Sequence, residues 1–491
     1  MNYSNLLKNL SKIARPFINN KFIAPSPSHI SKTLINPATE EPLIQVVEGI
    51  PSDVDLAVQV ATDALHSWSS SNGADRRNIL LKIADGIDKY SENLALIESL
   101  NVGKPIKDAK LDVSESAECF SDRFFAGYAD KLAGHNFCVN DKYRTFTIRE
   151  PVGVCGLITS FNYPLSIASW KLAPSLACGN TVILKPAPQT PLTTLMLAEI
   201  ISSKTELPPG VLNVIPGDEK VGERITEHEG IDKCSFTGSI QVGRKILSAA
   251  SSSNLKRITL ELGGKNAMIV FSDVDVDKVV DDVYWASFLN SGQNCCAGSR
   301  LFLEKSIHNV FIDKLRKRIG QTKIGNPLSE KVDFGPLIDN TQFQRMLRVL
   351  KDTTSGLKDG KLLIGGNRVG DVGFFIEPTV FYNIEDSEII SQEEIFGPLL
   401  TILKPFDTIE EVIHRANNTK FGLSVGIWTN NYSKAEKAIK EMKVGTAWIN
   451  CYNLSPNYLP FGGRKSSGFG KDLGEESIDE FSFIKSATFA L

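Results

Sequence analysis

The chain has 491 residues, of which 42% are hydrophobic and 23% charged, and its formal net charge at pH 7 is -3. This length allows two or three domains with sizeable cores, and the near-neutral charge gives no electrostatic footprint for nucleic acid. No apolar run reaches the ~18 residues that a membrane-spanning helix needs, so we expect a soluble protein that binds neither nucleic acid nor membrane.

Eight cysteines and six histidines are scattered along the chain. The cysteines form no CxxC pair and no spacing typical of a secreted disulfide scaffold, which favours free thiols in a reducing compartment. The histidines form no HExxH motif and no cluster with cysteines, so no metal site is predicted. A serine hydrolase is also disfavoured, because the chain has no GxSxG elbow.

Residues 1–16 form a candidate N-terminal extension. The segment carries three basic residues and no acidic one, and its leucines and isoleucine recur at near-helical spacing. Such a pattern is typical of a mitochondrial targeting peptide and equally of a terminal helix that packs on the protein. We therefore expect a cytoplasmic protein, with the mitochondrion as the alternative.

The segment from residue 17 to about residue 150 is mostly helical in pattern. Charged and β-branched residues alternate between residues 137 and 149, which predicts one exposed strand. A Gly-Lys-Pro sequence at residues 103–105 is a helix stop signal. The other predicted elements are a β-hairpin at 17–23, a turn at 35–40, and helices at 53–69, 74–101 and 109–133.

From Pro151 the pattern changes to short apolar runs that alternate with helical stretches. This alternation predicts right-handed βαβ crossovers and a parallel sheet covered on both faces, with a nucleotide site beyond the carboxyl ends of the strands. A second α/β segment follows from about residue 264 to residue 465. The apolar runs are 152–159, 181–185, 211–215, 233–236 and 267–271, and helical stretches near 165–178, 191–204, 219–228 and 240–250 lie between successive runs.

One strand-to-helix turn is a candidate phosphate site. Phe236-Thr-Gly-Ser239 follows an apolar run and opens a helix that contains Gly243. Gly238 allows a ligand to approach the backbone, and a helix N-terminus with a Ser239 hydroxyl can receive a pyrophosphate. The chain has no GxGxxG motif, and a Gly-Ser pair at such a turn is also common structural punctuation.

Two chemically active groups follow this turn. Glu261 lies inside an apolar run that ends in a Gly-Gly turn, where a carboxylate is costly to bury unless it has a partner or a task, such as general base catalysis. Cys295 follows 34 residues later, and its thiolate could attack a carbonyl carbon. Ser291 and Gly292 are expected to leave room for a ligand. The alternative is that Cys295 and Cys296 are buried packing residues.

The two segments together resemble the paired active-site signatures of the aldehyde dehydrogenase superfamily. They read Leu-Glu-Leu-Gly-Gly-Lys at residues 260–265 and Phe-x-x-x-Gly-Gln-x-Cys at residues 288–295. The resemblance covers nearly the whole chain from about residue 17 and implies an α/β, aldehyde dehydrogenase-like fold. The implied parts are a parallel-sheet NAD-binding domain (17–132 and 152–263), an α/β catalytic domain (264–465) and a small β bridging, or oligomerisation, element (133–151 and 479–491).

The resemblance also implies NAD(P)-dependent oxidation of an aldehyde to a carboxylic acid. Cys295 would form a thiohemiacetal and then a thioester, and Asn162 with the Cys295 backbone N–H would stabilise the oxyanion. The alternative for Asn162 is a turn residue that bonds its own backbone. Glu261 would activate the hydrolytic water, which argues against a CoA-acylating relative.

Cofactor contacts are implied in the same way. Pro188 departs from the family, because many members carry a glutamate there that binds the ribose hydroxyls of NAD and repels the 2′-phosphate of NADP. We expect NAD, with NADP as an alternative. Asp472 stands where many members have a glutamate, and we expect it to be a surface acid. The implied cofactor residues are Gly238, Ser239 and Gly243 for the pyrophosphate, Lys185 for the adenosine ribose, and Glu394 and Phe396 for the nicotinamide half.

The C-terminal signatures at residues 449–456 and 459–470 look closest to betaine-aldehyde and trimethylaminobutyraldehyde dehydrogenases. Tyr163, Trp170 and Phe461 match aromatic wall positions that would hold a cationic amine by cation–π attraction. Leu289 stands where some relatives have a tryptophan, which weakens such a cage.

Three alternatives stay open beside a preference for amino or trimethylammonio aldehydes. The aromatic residues could line a tunnel for aliphatic or retinoid aldehydes or for semialdehydes. Asp112 and Glu115 could meet an amine at the tunnel mouth, or simply form a solvated helix face. An alternative of another class is a catalytically idle structural or binding protein on the same fold. The expected partners are an aldehyde and further copies of the chain, in a homo-dimer or homo-tetramer.

Overall fold

The computed structural model describes residues 3–491, with side chains except at positions 3, 4 and 139. The N-terminal extension forms helix α1 (Tyr3–Ile13), apart from residues 1 and 2, which lie outside the described residues. Leu6 and Leu10 of this helix are buried in the main hydrophobic core. The segment is therefore a helix packed on the protein in this structure, and the compartment stays a proposal.

Twenty strands and sixteen further helices follow in the described part of the chain, and their bounds are given in chain order. The strands are β1 (Phe17–Ile18), β2 (Lys21–Phe22), β3 (Ile30–Ile35), β4 (Pro42–Glu48), β5 (Asn136–Asn140), β6 (Tyr143–Pro151), β7 (Val154–Ile158), β8 (Thr181–Lys185), β9 (Leu212–Val214), β10 (Lys233–Thr237), β11 (Arg257–Glu261), β12 (Asn266–Val270), β13 (Gly298–Leu303), β14 (Lys361–Ile364), β15 (Thr379–Ile384), β16 (Leu399–Leu403), β17 (Ser424–Trp428), β18 (Thr446–Ile449), β19 (Gly468–Phe469) and β20 (Ser482–Ala490).

The remaining helices are α2 (Pro51–Ser69), α3 (Gly73–Lys89), α4 (Ser91–Val102), α5 (Ile106–Cys119), α6 (Phe125–Ala129), α7 (Pro164–Ala177), α8 (Leu192–Lys204), α9 (Glu219–Glu227), α10 (Ile240–Ser252), α11 (Val276–Phe288), α12 (His308–Ile319), α13 (Asn340–Gly356), α14 (Ile389–Gln392), α15 (Ile409–Asn417), α16 (Tyr432–Glu441) and α17 (Glu476–Glu480), with short 3₁₀ turns at Leu289–Gly292 and Lys465–Ser467. Among the described residues, none of these helices has the length and hydropathy to cross a bilayer.

Three predicted elements are wrong in detail. The helix predicted at 74–101 is two helices, because Tyr90 leaves the helical conformation at φ -106° and ψ 17°. The helix predicted at 109–133 ends at Cys119, and α6 follows it. The strand predicted at 137–149 is a hairpin that turns between Asn140 and Tyr143. The sequence pattern also missed strands β3 and β4, which flank the predicted turn at 35–40.

The first large sheet has the strand order β19-β11-β10-β7-β8-β9-β1-β2. Its five central strands are parallel, and the chain runs outward from β7 to β9 before it crosses to β10 on the other side of β7. Such a reversal opens a crevice beyond the carboxyl ends of the two strands beside it, here β7 and β10. A ligand site is therefore expected next to Ile158 and Thr237.

The second large sheet has the order β14-β15-β16-β13-β12-β17-β18, parallel apart from β14. Only four residues separate the last residue of β11, Glu261, from the first residue of β12, Asn266. The carboxyl edge of the first sheet therefore lies close to the amino edge of the second. Cys295 precedes β13, so it belongs to this same edge. The mixed parallel sheets, covered by helices, confirm the α/β prediction.

A third, antiparallel sheet of order β20-β6-β5 joins residues near 136–151 to the end of the chain. The predicted domain boundaries stay a prediction, although the three sheets follow them in outline. One strand departs from the outline. Strand β19 lies after the predicted catalytic segment but pairs with β11 of the first sheet, Glu261 opposite Gly468.

Candidate active site

A cavity of about 1180 Å³ lies where the two large sheets meet. Its lining includes the candidate reactive residues Asn162, Glu261 and Cys295. We call the part lined by the predicted cofactor residues the cofactor end, and the part lined by the predicted aromatic wall the substrate end. The cofactor end includes Lys185, Gly238, Ser239, Glu394 and Phe396, and the substrate end includes Leu111, Glu115, Tyr163, Trp170, Leu289 and Phe461.

The loop before Cys295 has an unusual backbone. Asn290, Ser291 and Gly292 all have positive φ values, 51°, 57° and 70°. A left-handed conformation costs a non-glycine residue about 1 kcal/mol or more, and such outliers persist where the surroundings fix them. The Ser291 hydroxyl donates to Gly335 O at 2.8 Å, and the Gln293 side chain accepts from Ile338 N–H at 2.9 Å.

This loop corrects the expectation that two small residues leave space for a ligand. Ser291 and Gly292 are buried away from the cavity. A Cβ atom on Gly292 would lie 2.2 Å from Gly397 O, so the glycine allows two backbones to meet. Cys295 itself is half-buried at the cavity wall, and Asn266 holds its carbonyl through a 2.8 Å hydrogen bond.

Asn162 lies in the turn between β7 and α7 and is buried. Its side-chain oxygen accepts from the Ser160 hydroxyl at 2.7 Å, and its amide donates to Gln293 O at 3.0 Å. An asparagine amide has two N–H groups, so one N–H remains without a partner among residues 3–491. Asn290 in turn donates to Asn162 O at 3.0 Å, which ties the turn to the cysteine loop.

Glu261 is 5% exposed at the end of β11. Neither carboxylate oxygen has a hydrogen-bond partner among the described residues, although one of them lies against the backbone of Gly462. Burial and the neighbouring Asp472 carboxylate raise the pKa of Glu261 well above its usual value. An unpaired, buried carboxylate with a raised pKa can accept a proton at neutral to alkaline pH.

Asp472 is not the surface acid expected from the sequence. It is 2% exposed, and its carboxylate accepts from the Lys171 ammonium at 2.7 Å. Lys171 also donates to the Ser235 hydroxyl at 3.0 Å. An antiparallel backbone bridge pairs Asp472 with Phe461. The buried ion pair of Asp472 and Lys171 therefore lies next to Glu261.

The cofactor end contains most of the implied contacts. Lys185 is 5% exposed, and burial lowers its pKa to about 8, with Asp218 and Glu48 opposing the shift. Gly238 and Ser239 lie at the start of α10, whose first turn Ser239 caps by accepting from Val242 N–H at 3.3 Å. Gly243 does not line the cavity. A Cβ atom there would lie 3.0 Å from Leu262, so Gly243 lets α10 pack on the end of β11.

Glu394 and Phe396 lie on the loop after α14. The Glu394 carboxylate accepts from Gly264 N–H at 3.1 Å, and a Cβ atom on Gly263 would lie 2.0 Å from its oxygen. Burial raises the pKa of Glu394 to about 7, while the Gly264 N–H opposes the shift. Phe396 packs edge-to-face on Phe161, with ring centroids 5.6 Å apart.

The residues at the cofactor end fit a dinucleotide. The hydroxyls of Thr159 and Thr237 are buried without a partner among the described residues, and both line the cavity beside β7 and β10. Within the described part of the chain, the single hydrogen-bond contact of the Lys185 ammonium is with Pro186 O, at 3.4 Å. Buried polar groups without partners are rare and point to a missing ligand or water. A ribose or phosphate oxygen would satisfy each of them.

The aromatic residues of the substrate end are not an open cage. Trp170 and Phe461 pack against each other with ring centroids 5.3 Å apart and the ring planes tilted by 57°. The ring of Tyr163 is already covered by the ammonium of Lys104, which lies 4.2 Å from the ring centroid. Lys104 also pairs with the buried Asp112. The tyrosine is therefore engaged with a cation of the protein itself.

Carboxylates of helix α5 line this end of the cavity. Asp112 is buried in its pair with Lys104, which excludes the solvated face expected from the sequence at that position. Asp108 is half-buried, and burial and Asp112 raise its pKa to about 6. Glu115 is exposed, and partial burial of its carboxyl group with Asp112 raises its pKa to about 7. We call these three residues the carboxylate cluster.

Comparison with known proteins decides what this arrangement is. Residues 24–487 match the aldehyde dehydrogenase family. The chain belongs to the aldehyde dehydrogenase family. It is 43% identical to the mitochondrial aldehyde dehydrogenase of Mesocricetus auratus, over 92% of this chain and 91% of that one. It is also 43% identical to retinal dehydrogenase 2 of Homo sapiens, over 97% and 92%.

A solved structure adds the cofactor. The fold matches a betaine aldehyde dehydrogenase from Staphylococcus aureus in complex with NAD⁺, with a TM-score of 0.94 and 34% identity over 99% of this chain and 95% of that one. This aldehyde dehydrogenase is an NAD-dependent oxidoreductase, and the catalytically idle alternative falls away. The identity to this betaine aldehyde dehydrogenase, 34%, is lower than the 43% identity to the mitochondrial aldehyde dehydrogenase. The predicted resemblance to the betaine-aldehyde subgroup therefore has weaker support than membership of the family.

Sequence reasoning missed several residues that shape the site of this dehydrogenase. Glu98 and Lys104 form a buried pair beside Tyr163, and Asn290 connects the turn at Asn162 to the cysteine loop. A glutamate inside the apolar helix Ser91–Val102 was the available signal for Glu98. The signal was hard to use because helix patterns do not specify which distant backbone group a buried carboxylate will meet.

Proposed function

We propose that Cys295, Asn162 and Glu261 perform the oxidation. The support is that three groups line one cavity with the predicted cofactor residues: a half-buried thiol, and an asparagine N–H and a buried carboxylate that have no partner among residues 3–491. This combination carries the proposal, because acyl chemistry needs a nucleophile, an oxyanion donor and a base in one place.

The steps follow from these groups. The Cys295 thiolate adds to the aldehyde carbon, a C–S bond forms, and the carbonyl electron pair moves to oxygen, where Asn162 and the Cys295 N–H donate hydrogen bonds. NAD, when bound, supplies the acceptor for the hydride of that carbon, which leaves a thioester on Cys295. Glu261 then takes a proton from water, the water oxygen attacks the thioester, and the C–S bond breaks. The products are the carboxylic acid and the thiolate.

For the cofactor contacts, we propose that Lys185 and Glu394 bind the two riboses, that Gly238 and Ser239 receive the pyrophosphate, and that Phe396 contacts the nicotinamide. Support comes from their shared cavity and from the unpartnered hydroxyls of Thr159 and Thr237. Gly243 is left out of this proposal, because it faces Leu262.

For the substrate, we propose a preference for amino or trimethylammonio aldehydes. The carboxylate cluster gives the substrate end three acids against one lysine, Lys104. Trp170 and Phe461 present aromatic surface, where a desolvated cation gains about 0.5–2 kcal/mol per ring. The structural relative named for betaine aldehyde supports the same class. The cation would lie between this aromatic pair and Glu115.

A retinoid or broad-range aliphatic aldehyde is the second candidate. Two relatives at 43% identity are named aldehyde dehydrogenase and retinal dehydrogenase. Leu111 and Leu289 add apolar wall to the cavity, and Leu111 is 63% exposed. The Lys104 ammonium also covers the Tyr163 ring, so this ring is not available to a cationic substrate.

Initial rates of NADH formation with a panel of aldehydes test the substrate proposal. We expect a higher kcat/KM for 4-trimethylaminobutyraldehyde or betaine aldehyde than for hexanal or retinal. Glu115→Gln should lower the rate for the cationic aldehydes about 5-fold at pH 8, the size of one unit-charge contact of about 1 kcal/mol in water. The effect should shrink at pH 6, because a carboxyl group with a raised pKa is neutral there.

Glu118→Gln is the matched control, since Glu118 is exposed on the same helix and does not line the cavity. It should leave the ratio of cationic to neutral substrates unchanged. If hexanal and retinal are oxidised faster than the cationic aldehydes in the unmodified protein, the second candidate replaces the first.

We also expect NAD to be preferred over NADP. Pro188 stands in place of a glutamate, but other carboxylates line the cofactor end. One of them, Asp218, lies close enough to Lys185 to oppose the lowering of its pKa. A carboxylate there repels a 2′-phosphate. Asp218→Ser should raise the rate of NADPH formation about 5-fold, for a charge contact of about 1 kcal/mol. Glu229→Gln, outside the cavity, should not, and an unchanged NADPH rate in Asp218→Ser would contradict the assignment.

For assembly and compartment, we propose a homo-dimer or homo-tetramer in the cytoplasm, with the mitochondrion as the alternative. The third sheet supports self-association, because it exposes large apolar side chains that a monomer would leave in water. These are Phe137, Tyr143, Ile148, Phe483, Ile484 and Phe489.

A further inference from the structure

Glu98 is a buried carboxylate that no step of the reaction uses. It lies on α4, is 1% exposed, and points to the start of α7. One oxygen accepts from Leu165 N–H at 3.0 Å and from the Thr193 hydroxyl at 2.9 Å. The other lies 3.6 Å from the Lys104 ammonium and has no hydrogen bond among the described residues. Burial raises the pKa of Glu98, and Lys104 opposes the shift.

The contact with Leu165 matters because of what precedes it. Helix α7 begins at Pro164, whose nitrogen carries no hydrogen, so Leu165 offers the first free N–H of the helix. Tyr163 is the N-cap but makes no side-chain cap. A carboxylate at a helix N-terminus satisfies the N–H and also interacts favourably with the helix dipole. Glu98 therefore acts as the missing cap, supplied from another helix.

Asn162 is three residues before Leu165, and rigid links connect the two. Pro164 fixes one backbone angle between them. Lys104, the ion partner of Glu98, lies 4.2 Å from the Tyr163 ring centroid and fixes the intervening side chain. Burial lowers the pKa of Lys104, but Asp112 and Glu98 outweigh it and raise the pKa, so the ammonium stays charged. Two residues that follow Asn162 are thus held by the Glu98–Lys104 pair: Leu165 by Glu98 and Tyr163 by Lys104.

We propose that Glu98, with Lys104 as its counterion, is a positioning residue for the oxyanion donor Asn162. This inference rests on the proposed role of Asn162. Oxyanion donors act only at hydrogen-bond distance from the developing charge, and a misplacement of about 1 Å can cost 10²-fold in rate. Glu98 contacts neither aldehyde nor cofactor, because it does not line the cavity. It sets where the turn at Asn162 is anchored.

A double-mutant cycle tests the inference with Glu98→Gln, Asn162→Ala and the double variant. The glutamine is isosteric, but it must turn its NH₂ group toward either the Leu165 N–H or the Lys104 ammonium, so one contact becomes repulsive. Asn162→Ala should lower kcat/KM about 10²- to 10³-fold, as for other oxyanion donors. Glu98→Gln should lower it about 10- to 100-fold by displacing the donor. In the Asn162→Ala background, Glu98→Gln should lower kcat/KM less than 2-fold.

A second readout needs no NAD. Cys295 can attack p-nitrophenyl acetate: a C–S bond forms, the ester C–O bond breaks, and p-nitrophenolate leaves. This reaction also builds an oxyanion, so Glu98→Gln should slow it by a similar factor. Thr193→Val is the control, since it removes the other bond to the same Glu98 oxygen and leaves the Leu165 contact. It should keep both rates within 2-fold of the unmodified protein.

The outcomes separate the two proposals. An unaffected Asn162→Ala variant refutes the oxyanion role and this inference with it. A slow Asn162→Ala variant combined with the same fold-loss from Glu98→Gln in both backgrounds keeps the oxyanion role and refutes positioning. If Glu98→Gln does not fold, Glu98→Asp takes its place, because it keeps the charge toward Lys104 and falls one methylene short of Leu165. If the inference holds, Glu98→Asp should lower kcat/KM in the unmodified protein but not in the Asn162→Ala background.

Discussion

Replacing Cys295 by alanine should abolish aldehyde oxidation, with a loss of at least about 10⁴-fold in kcat, because the alanine cannot form the covalent intermediate. Cys295 is the half-buried thiol at the cavity wall, and the adjacent Cys296 is 4% exposed and points its carbonyl to Tyr452. The measurement is NADH formation at saturating NAD and aldehyde. Binding of NAD, followed by quenching of protein fluorescence, should persist in Cys295→Ala.

Cys296→Ala is the matched control for this prediction. It removes a neighbouring sulfur of the same type, and burial raises the pKa of that thiol, so it should not compete as a nucleophile. Activity within about 3-fold of the unmodified protein is expected, as for a small packing change that leaves the reacting groups in place. Should Cys296→Ala be the inactive variant and Cys295→Ala the active one, the nucleophile has been assigned to the wrong sulfur.

Replacing Glu261 by glutamine should lower steady-state turnover about 10²- to 10⁴-fold, the usual contribution of a general base. The amide cannot take a proton from water, so the thioester on Cys295 should accumulate. The first turnover does not need this proton transfer. A burst of NADH equal to the concentration of sites should therefore remain, and stopped-flow absorbance measures both phases.

The pH dependence of hydrolysis follows from the raised pKa of Glu261. The base works only when ionised, so the steady-state rate of the unmodified enzyme should rise with pH as the carboxyl group loses its proton and fall as pH drops below that pKa. In Glu261→Gln this limb should disappear. Hydroxylamine, a nucleophile that needs no base, should restore turnover by forming the hydroxamate. A variant that shows neither burst nor rescue would place Glu261 in the earlier steps.

The sequence predicted the architecture well where one pattern decides it. Short apolar runs separated by helices specify a parallel sheet, and its strand order then places residues after β7 and β10 beside one crevice. The pattern failed at Tyr90, where one helix ends and another begins without glycine or proline. It failed again at the turn between β5 and β6, since one long exposed strand and a hairpin share the same alternation.

The candidate site was partly predictable for a different reason. Motifs within a few residues of each other, such as those around Glu261 and Cys295, carry local chemistry. Contacts across hundreds of residues do not appear in a local pattern. Asp472 meets Lys171 over 301 positions, and Glu98 meets Leu165 over 67. Burial of both acids therefore became visible only in three dimensions, as did the packing role of Gly243.

Strand β19 has a consequence for how the enzyme is made. It pairs Gly468 with Glu261, while Ser467 accepts from Leu262 N–H at 3.0 Å and donates to Gly263 O at 2.7 Å. The sheet edge that carries Glu261 is thus completed by residues more than two hundred positions later in the chain. A nascent chain that has already exposed Cys295 still lacks this closure. We therefore expect the hydrogen bonds that complete this edge of the first sheet to form only when synthesis of the chain is nearly finished.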